Sequence, residues 1–214
     1  MIKAVIFDFD GVLVDSFESV YQFYKQTYRK GNHKFPYKNA EHFKKTYNHN
    51  YREYLYNIGM SDKEIDEIAV PEYINFMNNY DIKFKEGMAQ VISELSKDKK
   101  LAIASTSYTQ ILKNKLDKYQ VLHLFEHLVG GDLVKNKKPH PESLELCLEK
   151  LKISPKEAVY IGDMAEDIHA ARAAKMKVIA VTYGWHTRKK LEELNPDFII
   201  DKPEEILTIV NNLP

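Results

Sequence analysis

The chain has 214 residues, which is enough for one substantial hydrophobic core and a smaller second unit. Its 31 lysine and arginine side chains balance 31 aspartate and glutamate side chains, so the composition gives no support for a nucleic-acid binder, which usually carries a strongly basic domain. A single cysteine, Cys147, excludes an intramolecular disulfide and favours a reducing compartment.

The first predicted element is a strand, and two acidic residues follow it directly. Residues 2–7 are almost all apolar, as in a strand that is buried on both faces of a parallel sheet. Asp8 and Asp10 come next, and residues two apart in an extended chain point to the same side. Because two ionised carboxylates repel each other, this pair indicates a bound cation or a shared proton. Gly11 would let the backbone turn and approach a ligand closely.

Residues 17–84 have a composition typical of helices. Ten of the 14 tyrosines lie in this stretch, and apolar residues recur at helical spacing. Ser61 and Glu64 form the S-x-x-E pattern of a capping box, and Pro71 predicts a break or bend in the helix that follows. We therefore expect a small helical domain here. The predicted domains are residues 1–16 with 85–214 as the core, and residues 17–84 as the helical insert.

After residue 84, short apolar runs alternate with amphipathic segments, which is the pattern of strands followed by helices. Repeated units of this kind imply right-handed crossovers and a doubly wound parallel sheet with helices on both faces, so we expect an α/β core. Ser107 and Gln110 form an S-x-x-Q pattern that predicts a capping box on the helix at 108–119. The predicted strands are 101–104, 128–129, 158–161, 178–181 and 198–200.

Polar residues follow several predicted strands, at the end where parallel sheets bind their ligands. Ser105 ends the run LAIAS, Lys138 stands before a proline in NKKPHPE, and GDMAED contains Asp163 and Asp167. Because these two aspartates are four apart, the spacing predicts that both face one way on a first helical turn. Each signal is weak alone, since serine and aspartate before a helix are usually caps, and lysines in loops are usually solvated.

The metal prediction rests on convergence. If Asp163 and Asp167 meet Asp8 and Asp10 at one edge of the sheet, four carboxylates gather there. Such a group needs a counter-ion, and carboxylate oxygens favour a hard divalent cation. Mg²⁺ is a cation of this kind, so we expect a magnesium site.

Residues 8–16, DFDGVLVDS, resemble at every position the first signature of the haloacid dehalogenase (HAD) superfamily, DxDG[TV]xxDS. The segments that end at Ser105, surround Lys138 and span 162–167 resemble its second, third and fourth motifs. The chain is similar to the phosphoglycolate phosphatase and β-phosphoglucomutase-like subfamily, whose members carry a helical cap between the first two motifs. The resemblance implies a Rossmann-like HAD core with residues 17–84 as the cap.

The resemblance also implies an activity and a role for each motif residue. It implies a Mg²⁺-dependent phosphatase that hydrolyses a small phosphorylated metabolite, of the phosphoglycolate, sugar phosphate or pyrophosphate class, through an aspartyl-phosphate intermediate. Asp8 would be the nucleophile, Asp10 the general acid and base, and Lys138 a charge-neutralising catalytic group. The implied phosphate-binding residues are Gly11, Ser105, Thr106 and Lys138. The implied metal ligands are the side chains of Asp8 and Asp163 and the backbone carbonyl of Asp10, with Asp167 mostly outside direct contact with the metal.

Two departures from family patterns bear on the reaction. Dehalogenases of this superfamily lack the second aspartate of the first motif, so the presence of Asp10 argues against carbon–halogen cleavage. β-Phosphoglucomutases carry a histidine five residues beyond the last aspartate of that motif, where this chain has Val20. Hydrolysis is therefore favoured over the alternative, a phosphosugar mutase. A binding module that keeps the fold without catalysis is a third interpretation.

The insert has an uneven charge distribution. Residues 25–52 contain eight lysine or arginine side chains and one acid, Glu41. This half of the insert would attract an anionic substrate if it faces the site, and a solvated helical surface is the alternative. Lys45, His49 and Arg52 are the candidate substrate contacts. Trp185 and His186 follow a strand near the sheet edge, and we expect them to serve as loop packing.

The sequence also bears on location and partners. The N-terminus lacks the basic segment, apolar core and cleavage site of a signal peptide. No apolar run approaches the roughly 18 residues of a membrane span. We therefore expect a soluble cytoplasmic protein whose partner is a small phosphate ester, without a nucleic-acid or membrane partner.

Overall fold

The structure, a computed structural model, describes residues 1–47 and 51–213. The chain forms two compact units, which we call the core unit, Met1–Asp15 with Lys83–Pro214, and the insert unit, Ser16–Ile82. The bounds predicted for the domains lie within two residues of these. The division into a core domain and a separate helical domain stays a prediction. Within the described residues, no helix combines the length and apolar character that crossing a bilayer requires.

A six-stranded parallel sheet is the centre of the core unit, which confirms the predicted fold class. The strands of the described residues are β1 (Ala4–Phe7), β2 (Val14–Asp15), β3 (Lys83–Phe84), β4 (Lys100–Ala104), β5 (His127–Val129), β6 (Ala158–Gly162), β7 (Lys177–Val181) and β8 (Phe198–Ile200). Their order in the large sheet is β5-β4-β1-β6-β7-β8. The central strands β1, β6 and β7 are apolar, apart from Lys177 at the start of β7, because both of their faces are buried.

Helices flank this sheet and form the insert unit. They are α1 (Phe17–Lys30), α2 (Ala40–Thr46), α3 (Tyr51–Tyr56), α4 (Asp62–Glu64), α5 (Val70–Asn79), α6 (Met88–Leu95), α7 (Thr109–Lys118), α8 (Glu142–Leu151), α9 (Ala165–Ala173), α10 (Arg188–Glu192) and α11 (Glu205–Asn212). On one face of the sheet, α8 and α9 pack over a cluster that contains Ala4, Ile6, Ala102, Ala104 and Tyr160. The alanines of β4 leave room there for the bulky ring of Tyr160.

The sequence did not predict a two-stranded antiparallel ribbon formed by β2 and β3. Val14 pairs with Phe84 and Asp15 pairs with Lys83, where the chain leaves and re-enters the core unit. Strands of two residues are too short to show the alternation of apolar and polar residues that identifies a strand.

In the insert unit, the capping box at Ser61 and Glu64 is present. The Ser61 hydroxyl accepts a hydrogen bond from the backbone N–H of Glu64, and the Glu64 carboxylate accepts one from the N–H of Ser61. The prediction at Pro71 was a break or a bend; the break is wrong, because the helix continues through this residue, and the bend stays a prediction. A π-helical turn over Ile65–Ala69 joins α4 directly to α5, and the N–H of Val70 bonds to the carbonyl of Ile65, five residues back. Pro71 follows this wider turn directly, so its missing N–H falls where the regular i→i−4 hydrogen bonding of the helix is already interrupted.

Aromatic rings form much of the interior of the insert unit. The buried ring of Phe43 has the rings of Tyr37, Tyr47 and Tyr21 at centroid distances of 4.9, 5.2 and 5.5 Å. Aromatic contacts at these distances stabilise a thin helical layer beyond simple burial.

Candidate active site

The predicted site residues come from four loops of the core unit. Asp8 follows β1, Ser105 follows β4 and Asp163 follows β6, and these strands are neighbours in the order β4-β1-β6. Their carboxyl ends therefore lie side by side at one edge of the sheet. Lys138 reaches the same edge from the loop before α8, and Asp167 reaches it from the first turn of α9.

The Lys138 ammonium is at the centre of this group. Its side chain is buried, and Nζ lies 3.0 Å from Asp8 Oδ1 and 2.6 Å from Asp167 Oδ1. It also donates a hydrogen bond of 2.8 Å to the hydroxyl of Tyr160. Burial lowers the pKa of Lys138, but the charges of Asp167 and Asp8 outweigh it and raise the pKa above its usual value. The ammonium is therefore a permanent positive charge beside Asp8.

Asp8 is a buried carboxyl with an unusual pKa. Burial raises its pKa from 3.8 to about 7, against the opposing effect of Lys138 and with further help from Asp167 and Asp10. Burial likewise raises the pKa of Asp163 well above its ordinary value, and the nearby charges of Asp167 and Asp8 add to this. Both groups would be stabilised as carboxylates by an additional positive charge.

The carboxyl groups fit a divalent cation. Ligand oxygens of Asp8, Asp163 and Asp167 all lie within 4.8 Å of one another. Asp163 Oδ2 accepts a hydrogen bond of 2.6 Å from the backbone N–H of Trp185, whereas its buried Oδ1 has no hydrogen-bond partner among the described residues. A buried oxygen without a donor is costly unless a cation binds it. This oxygen, together with the excess of carboxyl groups over ammonium, makes the site suitable for a divalent cation.

Backbone close to Asp163 leaves no space for extra side chains. At Gly11 the backbone φ is +80°, and a Cβ there would lie 2.3 Å from Asp163 Oδ2. At Gly184 a Cβ would lie 2.3 Å from the same oxygen. Glycine at these two positions is therefore required for the backbone to approach the carboxylate this closely.

Asp167 differs from the other acids because donors already surround it. Its Oδ2 accepts hydrogen bonds from the backbone N–H groups of Asp163 and Met164, at 3.0 and 2.9 Å. Its Oδ1 accepts from the Lys138 ammonium and lies 3.1 Å from the Tyr160 hydroxyl. These contacts support a role in holding neighbouring groups in place.

The prediction that Asp163 and Asp167 share one face of a helical turn is wrong. Helix α9 begins at Ala165, so Asp163 lies before it. The two side chains meet because Asp167 caps the backbone of the turn that carries Asp163.

The remaining predicted residues lie at the same edge. Asp10 is half-buried, and its backbone forms an isolated bridge with Val14; its carboxyl lies outside the group of three described above. Ser105 is buried, and its hydroxyl accepts a hydrogen bond of 3.1 Å from the N–H of Ser107. Thr106 follows in the loop, where its carbonyl closely approaches Gly131. Phosphate binding by Gly11, Ser105, Thr106 and Lys138 stays a prediction.

Sequence reasoning missed the part that three residues play in supporting the site. Trp185, which we expected to pack in a loop, uses its backbone N–H to hold Asp163, and His186 Nδ1 accepts a hydrogen bond from the N–H of Ala165 at the start of α9. No sequence signal marks a backbone donor. Tyr160 was predicted only as a strand residue, although a tyrosine in an otherwise aliphatic buried strand indicates that its hydroxyl has a partner.

The candidate substrate contacts of the insert unit are engaged with acids of the same unit. Arg52 pairs with Asp62 at 2.7 Å and also with Asp66, while Lys45 pairs with Glu41 at 2.8 Å. His49 lies outside the described residues. These pairings give no support for a substrate role of Arg52 or Lys45, which stays a prediction.

Comparisons with known proteins agree with the motifs. A family model described as haloacid dehalogenase-like hydrolase matches residues 5–181. A pyrophosphatase PpaX of Bacillus cereus is 30% identical over 224 residues, covering 99% of this chain and 98% of the relative. A phosphoglycolate phosphatase of Haemophilus influenzae is 33% identical over 110 residues, covering 51% of this chain and 49% of the relative.

The fold also matches solved structures. The crystal structure of a predicted phosphatase from Clostridium acetobutylicum superimposes with a TM-score of 0.84 at 22% identity, covering 100% of both chains. At this identity the match supports the fold alone. The family match and the phosphatase-named relatives together support the enzyme class that the motifs predict, a phosphatase.

Proposed function

This chain belongs to the haloacid dehalogenase-like hydrolase family, and on that basis we propose that it is a Mg²⁺-dependent phosphatase that works through an aspartyl-phosphate. One observation carries the proposal. The Lys138 ammonium lies 3.0 Å from the buried Asp8 carboxyl, and ligand oxygens of Asp8 and Asp163 lie within 4.8 Å of each other. Residues far apart in sequence thus provide a nucleophile, a fixed cation and a metal site at one point.

The chain's own residues would carry out two displacements. The Asp8 carboxylate attacks phosphorus in line, and the leaving oxygen departs with a proton from Asp10. Asp10 then accepts a proton from a water molecule that attacks the aspartyl-phosphate, which releases phosphate and restores Asp8. Splitting one difficult displacement into two lowers the barrier to each.

Positive charge would stabilise both transition states. Bound by the Asp8 and Asp163 carboxylates and the Asp10 carbonyl, Mg²⁺ would supply positive charge to the phosphoryl oxygens. Lys138 would add a second, protein-borne charge that is already in position beside Asp8. Asp167 would hold Lys138 and the backbone of Asp163 in place.

The substrate would be a small phosphorylated metabolite. The relative matched over its full length is named a pyrophosphatase, and the relative matched over half its length is named a phosphoglycolate phosphatase. Pyrophosphate and phosphoglycolate are therefore the first substrates to test, with sugar phosphates next. Val20 is buried and apolar, so it supplies no acid–base group of the kind a phosphosugar mutase carries there. The expected cytoplasmic location is part of this proposal.

A substrate panel tests the proposal. Purified protein should release phosphate from p-nitrophenyl phosphate and from at least one of pyrophosphate, phosphoglycolate and the sugar phosphates. Release should require Mg²⁺, stop when EDTA is added, and be absent in the isosteric Asp8→Asn variant. A folded wild-type protein without Mg²⁺-dependent phosphate release from any of these compounds would contradict the proposal and favour a binding module.

A further inference from the structure

Tyr160 places a single hydroxyl in the middle of the candidate site. It lies in the central strand β6, its side chain is fully buried, and its ring packs with small and aliphatic residues of the sheet and α8. A phenylalanine would fill the same volume. A buried phenol hydroxyl is expected to have a hydrogen-bond partner, so the contacts of this oxygen indicate why a tyrosine is present.

Those contacts join three motif segments. The Tyr160 hydroxyl accepts a hydrogen bond of 2.8 Å from the Lys138 ammonium. It donates its one proton towards the carbonyl of Ala104, at 3.0 Å, or Oδ1 of Asp167, at 3.1 Å. Ala104 directly precedes Ser105 at the end of β4. The hydroxyl therefore links the loop that carries Lys138 to the end of β4 and to the first turn of α9.

The ammonium has three N–H groups, and three oxygens surround it. Asp167 and Tyr160 accept aligned hydrogen bonds, whereas the contact with Asp8 Oδ1 is an ion pair at 3.0 Å. The two hydrogen bonds determine the direction of the third N–H group. Without the hydroxyl, the flexible lysine chain could rotate about its contact with Asp167, and a buried N–H would lose its acceptor.

We propose that Tyr160 is a positioning residue whose hydroxyl holds the Lys138 ammonium against Asp8. This inference rests on the proposed function, because the benefit is to phosphoryl transfer at Asp8. A charge must already be in place when the transition state forms, since reorganising it during the reaction would raise the barrier. The hydroxyl contacts the Lys138 ammonium, the Ala104 carbonyl and Asp167 Oδ1, so it acts through the lysine.

The Tyr160→Phe variant tests this role, because it removes the oxygen and keeps the ring. We expect kcat to fall by about 10- to 100-fold, the range seen when a group that orients a catalytic residue is lost, with a smaller change in KM. Tyr28→Phe is the matched control. Tyr28 is a buried tyrosine of the insert unit whose hydroxyl donates a hydrogen bond of 2.9 Å to the carbonyl of Tyr54. This control should lose comparable thermal stability while keeping the wild-type kcat.

A second measurement does not depend on turnover. In the wild-type protein, the Lys138 ammonium should give a resolved signal in ¹H–¹⁵N NMR spectra of lysine side chains, because its buried contacts slow hydrogen exchange with water. The signal is assigned by its absence in Lys138→Met. In Tyr160→Phe it should broaden or disappear, whereas in Tyr28→Phe it should persist.

The outcomes separate this inference from the proposed function. A wild-type protein without phosphatase activity would refute the function, and the NMR signal would still report whether Tyr160 holds Lys138. A wild-type kcat in Tyr160→Phe, an unchanged Lys138 signal, or an equal loss of kcat in Tyr28→Phe would each overturn the positioning role.

Discussion

Asp8 and Asp163 have fewer donors from the protein around their carboxyl groups than Asp167 has. Asp167 has backbone N–H groups on one oxygen and the Lys138 ammonium on the other. Asp8 and Asp163 are buried with fewer donors, which raises the pKa of each. Asp8 and Asp163 therefore suit the role of cation ligands, because a further positive charge would stabilise both carboxylates. Asp167, whose oxygens already have donors, suits the role of a residue that supports these ligands.

This difference predicts how pH affects the metal-free protein. The pKa of Asp8 is raised from 3.8 to about 7, so between these values the folded state keeps a proton that the unfolded state releases. Stability should therefore fall as pH rises through this window. Mg²⁺ displaces the proton, so added Mg²⁺ should raise Tm more at about pH 8 than at about pH 5.

Thermal unfolding in EDTA and in excess Mg²⁺ measures this effect. Asp8→Asn is the control, because it removes the titrating carboxyl and should weaken both the pH dependence and the Mg²⁺ effect. A metal-free protein that becomes more stable from about pH 5 to about pH 7 would contradict the assignment.

In the proposed mechanism, Asp10 has a different role from Asp8, so its loss should cause a different defect. A general acid and base would be replaceable, whereas the nucleophile would not. We expect Asp10→Asn to lower kcat by about 100- to 10,000-fold, the usual contribution of general acid–base catalysis, with Mg²⁺ binding retained. Steady-state kinetics and calorimetric titration with Mg²⁺ measure the two properties. A kcat close to that of the wild type would rule out this role.

At the level of elements, sequence patterns predicted the strands well. They predicted poorly the hydrogen bonds that link one element to another. The runs that form β1, β4 and β6 are apolar because the sheet buries both of their faces, and that property is visible in sequence. The capping box expected at Ser107 and Gln110 is wrong. The N–H of Thr109 instead donates to Asp132, which is 23 residues further along the chain, and a local pattern cannot show such a partner.

The capping box at Ser61 is a local pattern that the structure does contain, and it predicts a stability effect. Ser61→Ala removes the acceptor for the N–H of Glu64 and should lower the free energy of unfolding of the insert unit by about 0.5–2 kcal/mol. Ser93→Ala, in the exposed interior of α6, is the control and should be neutral or slightly stabilising. Urea unfolding measures both variants. Equal stability of Ser61→Ala and the wild type would show that the cap is dispensable.

For the whole molecule, sequence alone predicted the fold class because the motifs and the alternation of strands and helices point to the same α/β architecture. The meeting of Asp8 and Asp163 could be anticipated because each follows a strand that ends at the same edge of the sheet, and that of Lys138 because its segment resembles a motif of the family. The hydrogen-bond partners of Tyr160 and Trp185 could not be anticipated. Their roles depend on how far a buried ring reaches and on where a backbone N–H points, and both follow from packing.

The central claim, that Asp8 becomes phosphorylated during turnover, can be tested by chemical trapping. Borohydride reduces an acyl phosphate, so quenching a reaction during turnover should convert a fraction of Asp8 to homoserine, which mass spectrometry of the N-terminal peptide detects. The account predicts this product only when substrate and Mg²⁺ are both present, and never in Asp8→Asn. Turnover without any trapped product, or a product at a different residue, would contradict it.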